Sequence, residues 1–270
     1  MTVPLPICAF SGAADAATSE RLSRDAEAVA AARRGATFWR ALKAAPSCGL
    51  EALALELARF HVDQLSLAGV AGVEWWVQVR CVDGSDGSGS ILLHYDKDEL
   101  AFERLGVTRS PVLSTATYLR ADAGAAPLVV FDPQFAAVAT PAAGKHVAFD
   151  GRQLHGVPAE LGALFHEAPR TEGKRVSLLA NLWKAEPTGA TELSDADAAG
   201  LGLSPRAPPP KLERSAAAFD DGRGRRKYRL SDDDAGGATP PLPLAARGDE
   251  ARRRTHVSAA LAGILVFRFF

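Results

Sequence analysis

Apolar positions recur at helical spacing only in the first quarter of the chain. Residues 49–68 place Leu50, Leu53, Leu55, Leu57, Phe60, Leu65 and Leu67 mostly three or four apart, which predicts a helix. Residues 18–34 predict another, with Thr18 and Ser19 ahead of Glu20 as its N-terminal cap. Gly69 and Gly72 close the second helix, and the period then changes to two. From Gly72 to Cys81, Trp75, Val77, Val79 and Cys81 alternate with Glu74, Trp76, Gln78 and Arg80. One face of that strand is core; the other lines a pocket or is the wet side of an antiparallel sheet. Residues 83–89 (Asp-Gly-Ser-Asp-Gly-Ser-Gly) form a flexible connection. Between Ile91 and Trp183, six or seven short apolar runs are separated by Gly, Pro and Asp, with no helix-period segment. That pattern predicts an all-β sandwich or barrel.

Residues 185–255 change character, with Pro208-Pro209-Pro210, Pro240-Pro241 and many Gly and Ala, and are expected to be loop or disorder. Residues 256–270 turn apolar again and are expected to add a last strand or helix to the core. The organisation is therefore N-terminal helical support over 1–70, a β core over 71–184, a low-complexity segment over 185–255 and a returning element over 256–270.

Composition narrows the picture without overturning it. The chain has 270 residues, enough for a sizeable core, and its formal charge of −1 favours neither nucleic acid nor a membrane surface as partner. The basic cluster Arg223, Arg225, Arg226, Lys227 and Arg229 is offset by Asp232-Asp233-Asp234. Cys8, Cys48 and Cys81 are far apart and contain no CxxC pair, which argues against a disulfide framework or a structural zinc site and for a reducing compartment. The apolar run 257–267 is far short of the roughly 20 residues that span a bilayer, and no signal peptide opens the chain. A cytoplasmic or nuclear location is expected, with organelle import left open.

The candidate chemistry lies in Ser90-Ile91-Leu92-Leu93-His94-Tyr95-Asp96-Lys97-Asp98-Glu99. In a strand, His94 and Asp96 share a face and Tyr95 takes the other. An imidazole and a carboxylate so placed are two of the three ligands of a 2-His-1-carboxylate facial triad, which holds Fe(II) with positions open for chemistry. With six His and 32 acidic residues, roughly 0.7 such pairs arise by chance, so the weight falls on context. A second histidine is needed, and His155, in the strand-like run 145–157, is the best candidate. His61 sits in a helix and reads as packing or surface; His146 and His166 read as surface positions, and Lys97, Asp98 and Glu99 as rim residues or a solvated turn.

This order of parts, over residues 72–184, resembles the Fe(II)/2-oxoglutarate-dependent dioxygenases, and specifically their prolyl-hydroxylase-like branch. Leu113-Ser114-Thr115-Ala116-Thr117-Tyr118-Leu119 is similar to the family strand whose tyrosine binds 2-oxoglutarate, which implies that role for Tyr118. Gly124-Ala125-Ala126-Pro127 stands where the family has a Gly-Gly turn, and Phe149-Asp150-Gly151-Arg152-Gln153-Leu154-His155 resembles the stretch bearing the distal histidine. The family's anchor arginine for the far carboxylate corresponds to Arg175, with Ser177 on the same face; an arginine fork suits a carboxylate. Arg175 follows His155 by 20 residues, longer than the family spacing, so an inserted loop over 161–174 is expected, with Arg170 as the rival anchor. The resemblance implies a double-stranded β-helix, a jelly-roll or cupin-like core with N-terminal supporting helices. It also implies Fe(II) on His94, Asp96 and His155, with 2-oxoglutarate and O2 as cosubstrates, and ascorbate as the auxiliary reductant to consider. The implied activity is hydroxylation of a C–H bond of a peptide or small molecule, with release of succinate and CO2. The alternatives on the same scaffold are a metal-binding cupin without 2-oxoglutarate chemistry and a binding-only member.

Overall fold

The computed structural model describes residues 4–82, 90–132, 135–159 and 173–214, together with the strands 217–220, 226–229, 256–258 and 264–268. In chain order the elements are β1 (Cys8–Ser11), α1 (Ala16–Ala32), β2 (Phe38–Ala41), α2 (Gly49–Gln64), β3 (Gly72–Cys81) and β4 (Ile91–His94). There follow α3 (Glu99–Leu105), β5 (Leu113–Ala121), β6 (Leu128–Asp132), β7 (Phe135–Ala139), β8 (His146–Asp150), β9 (His155–Val157) and β10 (Lys174–Trp183). Last come α4 (Asp195–Gly200), β11 (Glu213–Arg214), β12 (Ala217–Asp220), β13 (Arg226–Arg229), β14 (His256–Ser258) and β15 (Ile264–Arg268).

The protein is mainly antiparallel sheet with few helices. A seven-stranded sheet runs β11-β1-β8-β5-β10-β3-β2 and a six-stranded one runs β14-β15-β7-β6-β9-β4, with β12 and β13 paired separately. The period-two pattern fixes which residues meet. On β10, Val176, Leu178, Ala180 and Leu182 face one way and join Leu22, Val29, Leu50, Leu53 and Leu57 of the helices in one apolar core. A second core, with Ala116, Tyr118, Val147 and Phe149 of the first sheet against Leu128, Val130, Ala137 and Val157 of the second, holds the two sheets together. The helices therefore cover one face of the large sheet and the second sheet covers the other. Under the helices, fully buried Trp75 donates from Nε1 to Glu51 Oε1 at 3.0 Å, and Arg40 Nε approaches Glu51 Oε2 at 3.1 Å. A buried carboxylate needs such partners, because desolvation alone pushes its pKa up.

Several expectations are corrected. The first 70 residues are not helices alone: β1 and β2 join the large sheet. Asp15, rather than Thr18 or Ser19, caps α1, accepting from Thr18 N at 2.7 Å, and α2 ends at Gln64. A helix, α3, interrupts the region read as all strand; its cap is Asp98, which also accepts from Thr188 N and Oγ1, so Asp98 is a buried structural residue and not a rim group. Residues 193–203 are ordered into the core through Leu193, Ala198 and Leu203. The C-terminal residues return to the second sheet as β14 and β15, with β15 pairing to β7. His166 and Arg170 lie outside the described residues.

His146 is fully buried, against the expectation of a surface position. It starts an interior strand, between β1 and β5, on the face that α2 covers. His61 Nε2 meets His146 Nε2 at 2.8 Å, and His146 Nδ1 meets Thr117 Oγ1 at 2.8 Å. Burial lowers both pKa values, that of His61 to about 4. Between pH 6.5 and about 4 the unfolded chain binds protons that folded His61 cannot, so stability falls as the pH falls through this window. Chemical denaturation should show a loss of up to about 3 kcal/mol from His61 across it. His61→Gln, which keeps a donor for His146 but does not titrate, should flatten the His61 part of the profile; an unchanged slope would rule out His61 as its source.

Candidate metal centre

The two sheets leave a cavity of about 60 Å³ between them. Its walls come from β3 (Trp76, Gln78), β5 (Ser114, Tyr118), β9 (His155) and β10 (Arg175, Ser177, Asn181), with His94 and Asp96 at its rim. The polar face of β3 is thus a cavity wall through Trp76 and Gln78. All six residues singled out from the sequence line it.

At one end lies a cluster of potential metal ligands. The ligand atoms of His94, Asp96 and His155 lie within 4.8 Å of one another. Asp96 Oδ1 stands 3.6 Å from His94 Nε2 and 3.6 Å from His155 Nε2. Ligands about 2.1 Å from one ion are at most about 4.2 Å apart, so these separations admit a shared metal. Both imidazoles are oriented the same way. His94 Nδ1 meets Leu92 O at 2.8 Å and His155 Nδ1 meets Gln153 O at 3.0 Å. A carbonyl only accepts, so each Nδ1 carries a proton and each Nε2 is the atom turned toward Asp96, a donor to the carboxylate when the imidazole is charged and a free lone pair when it is neutral. Asp96 is fixed by Ser114, whose Oγ donates to Oδ2 at 2.6 Å and leaves Oδ1 for the histidines.

The electrostatics follow from this grouping. Burial pushes the Asp96 pKa up, but the His94 contact, the His155 charge and the Ser114 hydrogen bond outweigh it and hold the value below normal. His94 is raised by its contact with Asp96, against burial; His155, deeper in the cavity, is lowered by burial. Two imidazoles and one carboxylate with both Nε2 atoms turned inward are a donor set that could hold a divalent metal ion.

Local sequence explains the convergence. His94 pairs directly with His155 across β4 and β9, with a register irregularity between Ile91 and His94. The close approach is possible because residue 156 is glycine: a Cβ there would stand 2.9 Å from Ile91 O and 3.0 Å from Leu92 O. Gly124, at φ +86, makes the turn between β5 and β6 with a single glycine.

At the other end lies Arg175, 5% exposed. Its Nη1 donates to Ala126 O at 2.9 Å, its Nε has no partner, and no carboxylate pairs with it among the described residues. Burial lowers its pKa, yet a guanidinium starting so high stays charged at neutral pH. Tyr118 is also buried, with its pKa pushed up to about 12, and so keeps its proton. Two wall residues escaped the sequence reading, Ser114 and Asn181. The Oδ1 of buried Asn181 likewise lacks a partner. Register would have found them: Asn181 lies opposite Ser114 and six residues beyond Arg175, on the same face.

No helix among the described residues is long and apolar enough to cross a membrane. No family model matches the chain, and no curated protein matches it. Solved structures similar to it include a Pseudomonas putida prolyl-4-hydroxylase, at 16% identity and a TM-score of 0.46, over 67% of this chain and 88% of that one. Another is an oxidoreductase of the 2OG-Fe(II) oxygenase family from Burkholderia pseudomallei, at 17% identity and a TM-score of 0.32, over 50% of this chain and 53% of that one. Likeness at this level leaves function to be read from the cavity itself.

Asp96→Ala is expected to reduce binding of Fe(II), or of Co(II) as its spectroscopic stand-in, by at least about a hundredfold, since it removes the one anionic ligand. The apo melting temperature should change little. Gly156→Ala should weaken metal binding too, by wedging β4 from β9. Retained metal affinity in Asp96→Ala would place the ion elsewhere.

Proposed function

We propose that this protein is an Fe(II)- and 2-oxoglutarate-dependent oxygenase that hydroxylates a C–H bond of a peptide or small-molecule substrate, with 71–184 as its double-stranded β-helix core. One observation carries the reading: the charged, buried Arg175, without a counter-ion among the described residues, shares a small cavity with the His94, Asp96 and His155 cluster. A metal-binding protein with no dicarboxylate to hold has no use for that guanidinium, whose burial costs several kcal/mol unless a ligand supplies the charge.

His94, Asp96 and His155 are the residues that would hold Fe(II). Bound there with 2-oxoglutarate, the metal supplies dioxygen activation coupled to oxidative decarboxylation of the cosubstrate to succinate and CO2. The chain's own groups bind, orient and exclude. Arg175 pairs with the far carboxylate of 2-oxoglutarate, and Tyr118, still protonated, donates a hydrogen bond to it. Ser177, buried between Arg175 and Leu179 on the same face, offers a further hydroxyl. Leu128, Phe149, Val157 and Leu179 give the cavity apolar walls that keep water from the cosubstrate chain. Ser114 holds Asp96 so that one carboxylate oxygen faces the metal.

Arg175→Leu should weaken 2-oxoglutarate binding to anaerobic, metal-loaded protein by ~30-fold to several thousand-fold, the equivalent of roughly 2–5 kcal/mol for a desolvated carboxylate left without its partner. Metal affinity should be nearly unchanged. Calorimetric titration measures both. If Arg170→Leu carries the loss and Arg175→Leu is silent, the anchor has been assigned to the wrong residue; if wild-type protein binds no 2-oxoglutarate, the oxygenase reading fails.

A further inference from the structure

Strand β3 is an outer strand of the large sheet for half its length. β2 pairs only with Gly72 through Trp75, and no described strand covers the outer side of residues 76–79. Alternate residues of that stretch direct their N–H and C=O outward. The usual protections of such an edge, proline, lysine or a bulge, are missing: the stretch reads Trp76-Val77-Gln78-Val79, a strongly β-forming sequence. Facing it, the connection from α1 to β2 supplies Arg33, Arg34 and Thr37, and the two walls enclose a groove of about 580 Å³. Arg33, Arg34 and Arg80 line the groove, and no acidic residue does. Arg33 is held by Asp197 at 2.8 Å, with both side chains about half exposed, a pairing of little net value that a ligand carboxylate can replace. Arg34 makes no ion pair among the described residues. Trp76 and Gln78 line this groove and the metal cavity alike, so the groove runs along the strand that walls the cavity.

We propose that the groove is a docking site for an extended acidic polypeptide segment, which adds as a strand to the 76–79 edge of β3 and leads toward the metal cavity. A row of outward backbone groups is satisfied by another extended backbone, not by a helix or a lipid surface. Arg33 and Arg34 select acidic side chains along it. That the docked segment presents a side chain to the metal cavity rests on the oxygenase reading; the docking itself does not.

The test is panning of a random twelve-residue phage-displayed peptide library against the full-length, metal-free protein. Enrichment of proline-free sequences rich in Asp and Glu is expected. The leading synthetic peptide should lose about tenfold in affinity on Arg34→Glu. N-methylation of alternate peptide amides should abolish binding in one phase and be tolerated in the other, the signature of one hydrogen-bonding edge. Asp96→Ala should bind the peptide normally, which separates failure of the docking site from failure of the oxygenase reading. No enrichment, indifference to Arg34→Glu, equal tolerance of both N-methylation phases, or sedimentation showing that the groove instead joins two copies of this chain would overturn the proposal.

Discussion

Strand β10 is covered on both faces and must satisfy two different demands. Towards the helices it is apolar, through Val176, Leu178, Ala180 and Leu182. Towards the cavity it carries Arg175, Ser177 and Asn181, all buried. Buried polar groups without partners cost roughly 1–3 kcal/mol each. Of the three such side-chain atoms among the described residues, two, Arg175 Nε and Asn181 Oδ1, belong to this one strand face. A stability-driven core would have placed leucine at both positions. The cavity is therefore a site whose unmet hydrogen bonds and charge await a ligand, with the cationic end at Arg175 and the metal end at Asp96.

The metal end depends on a weaker part of the fold. β4 is a four-residue edge strand, and Leu92 within it is 83% exposed. Little apolar burial holds it, so its position rests on the tight contact over Gly156 and the pairing of His94 with His155. An ion shared across these strands would tie the edge to the second sheet, coupling metal binding to local order. Asp96, the third member of the cluster, is held from the opposite sheet by Ser114. Both sheets must be in register for the triad to close.

Much of this was legible because period-two patterning is strong in β3 and β10, where Val73, Trp75, Val77 and Val79 and then Val176, Leu178, Ala180 and Leu182 pack into or against one core. The His94 and Asp96 pair was legible from its spacing at the end of an apolar run, although β4 ends at His94 and Asp96 lies beyond the strand rather than on its face; Arg175 was legible because it opens a clear apolar strand. What escaped depended on tertiary context. β1 and β2 have four residues each and look like loop until the sheet recruits them. The seven-residue α3 carried its signals, Asp98 as cap and Gly106 at φ +67 closing it, but is too short to show a period. His146 looked exposed because nothing local announces that α2 lies over β8. Ser114 and Asn181 became readable only with the pairing of β5 and β10.

The central claim, that one cavity joins metal and 2-oxoglutarate chemistry, is tested most directly by succinate. Protein loaded anaerobically with Fe(II) and 2-oxoglutarate, then exposed to O2 without added substrate, is expected to release succinate slowly, through uncoupled turnover. The release should stop in Asp96→Ala. Metal-loaded protein that binds 2-oxoglutarate yet forms no succinate, or forms it equally well without Asp96, would contradict the account.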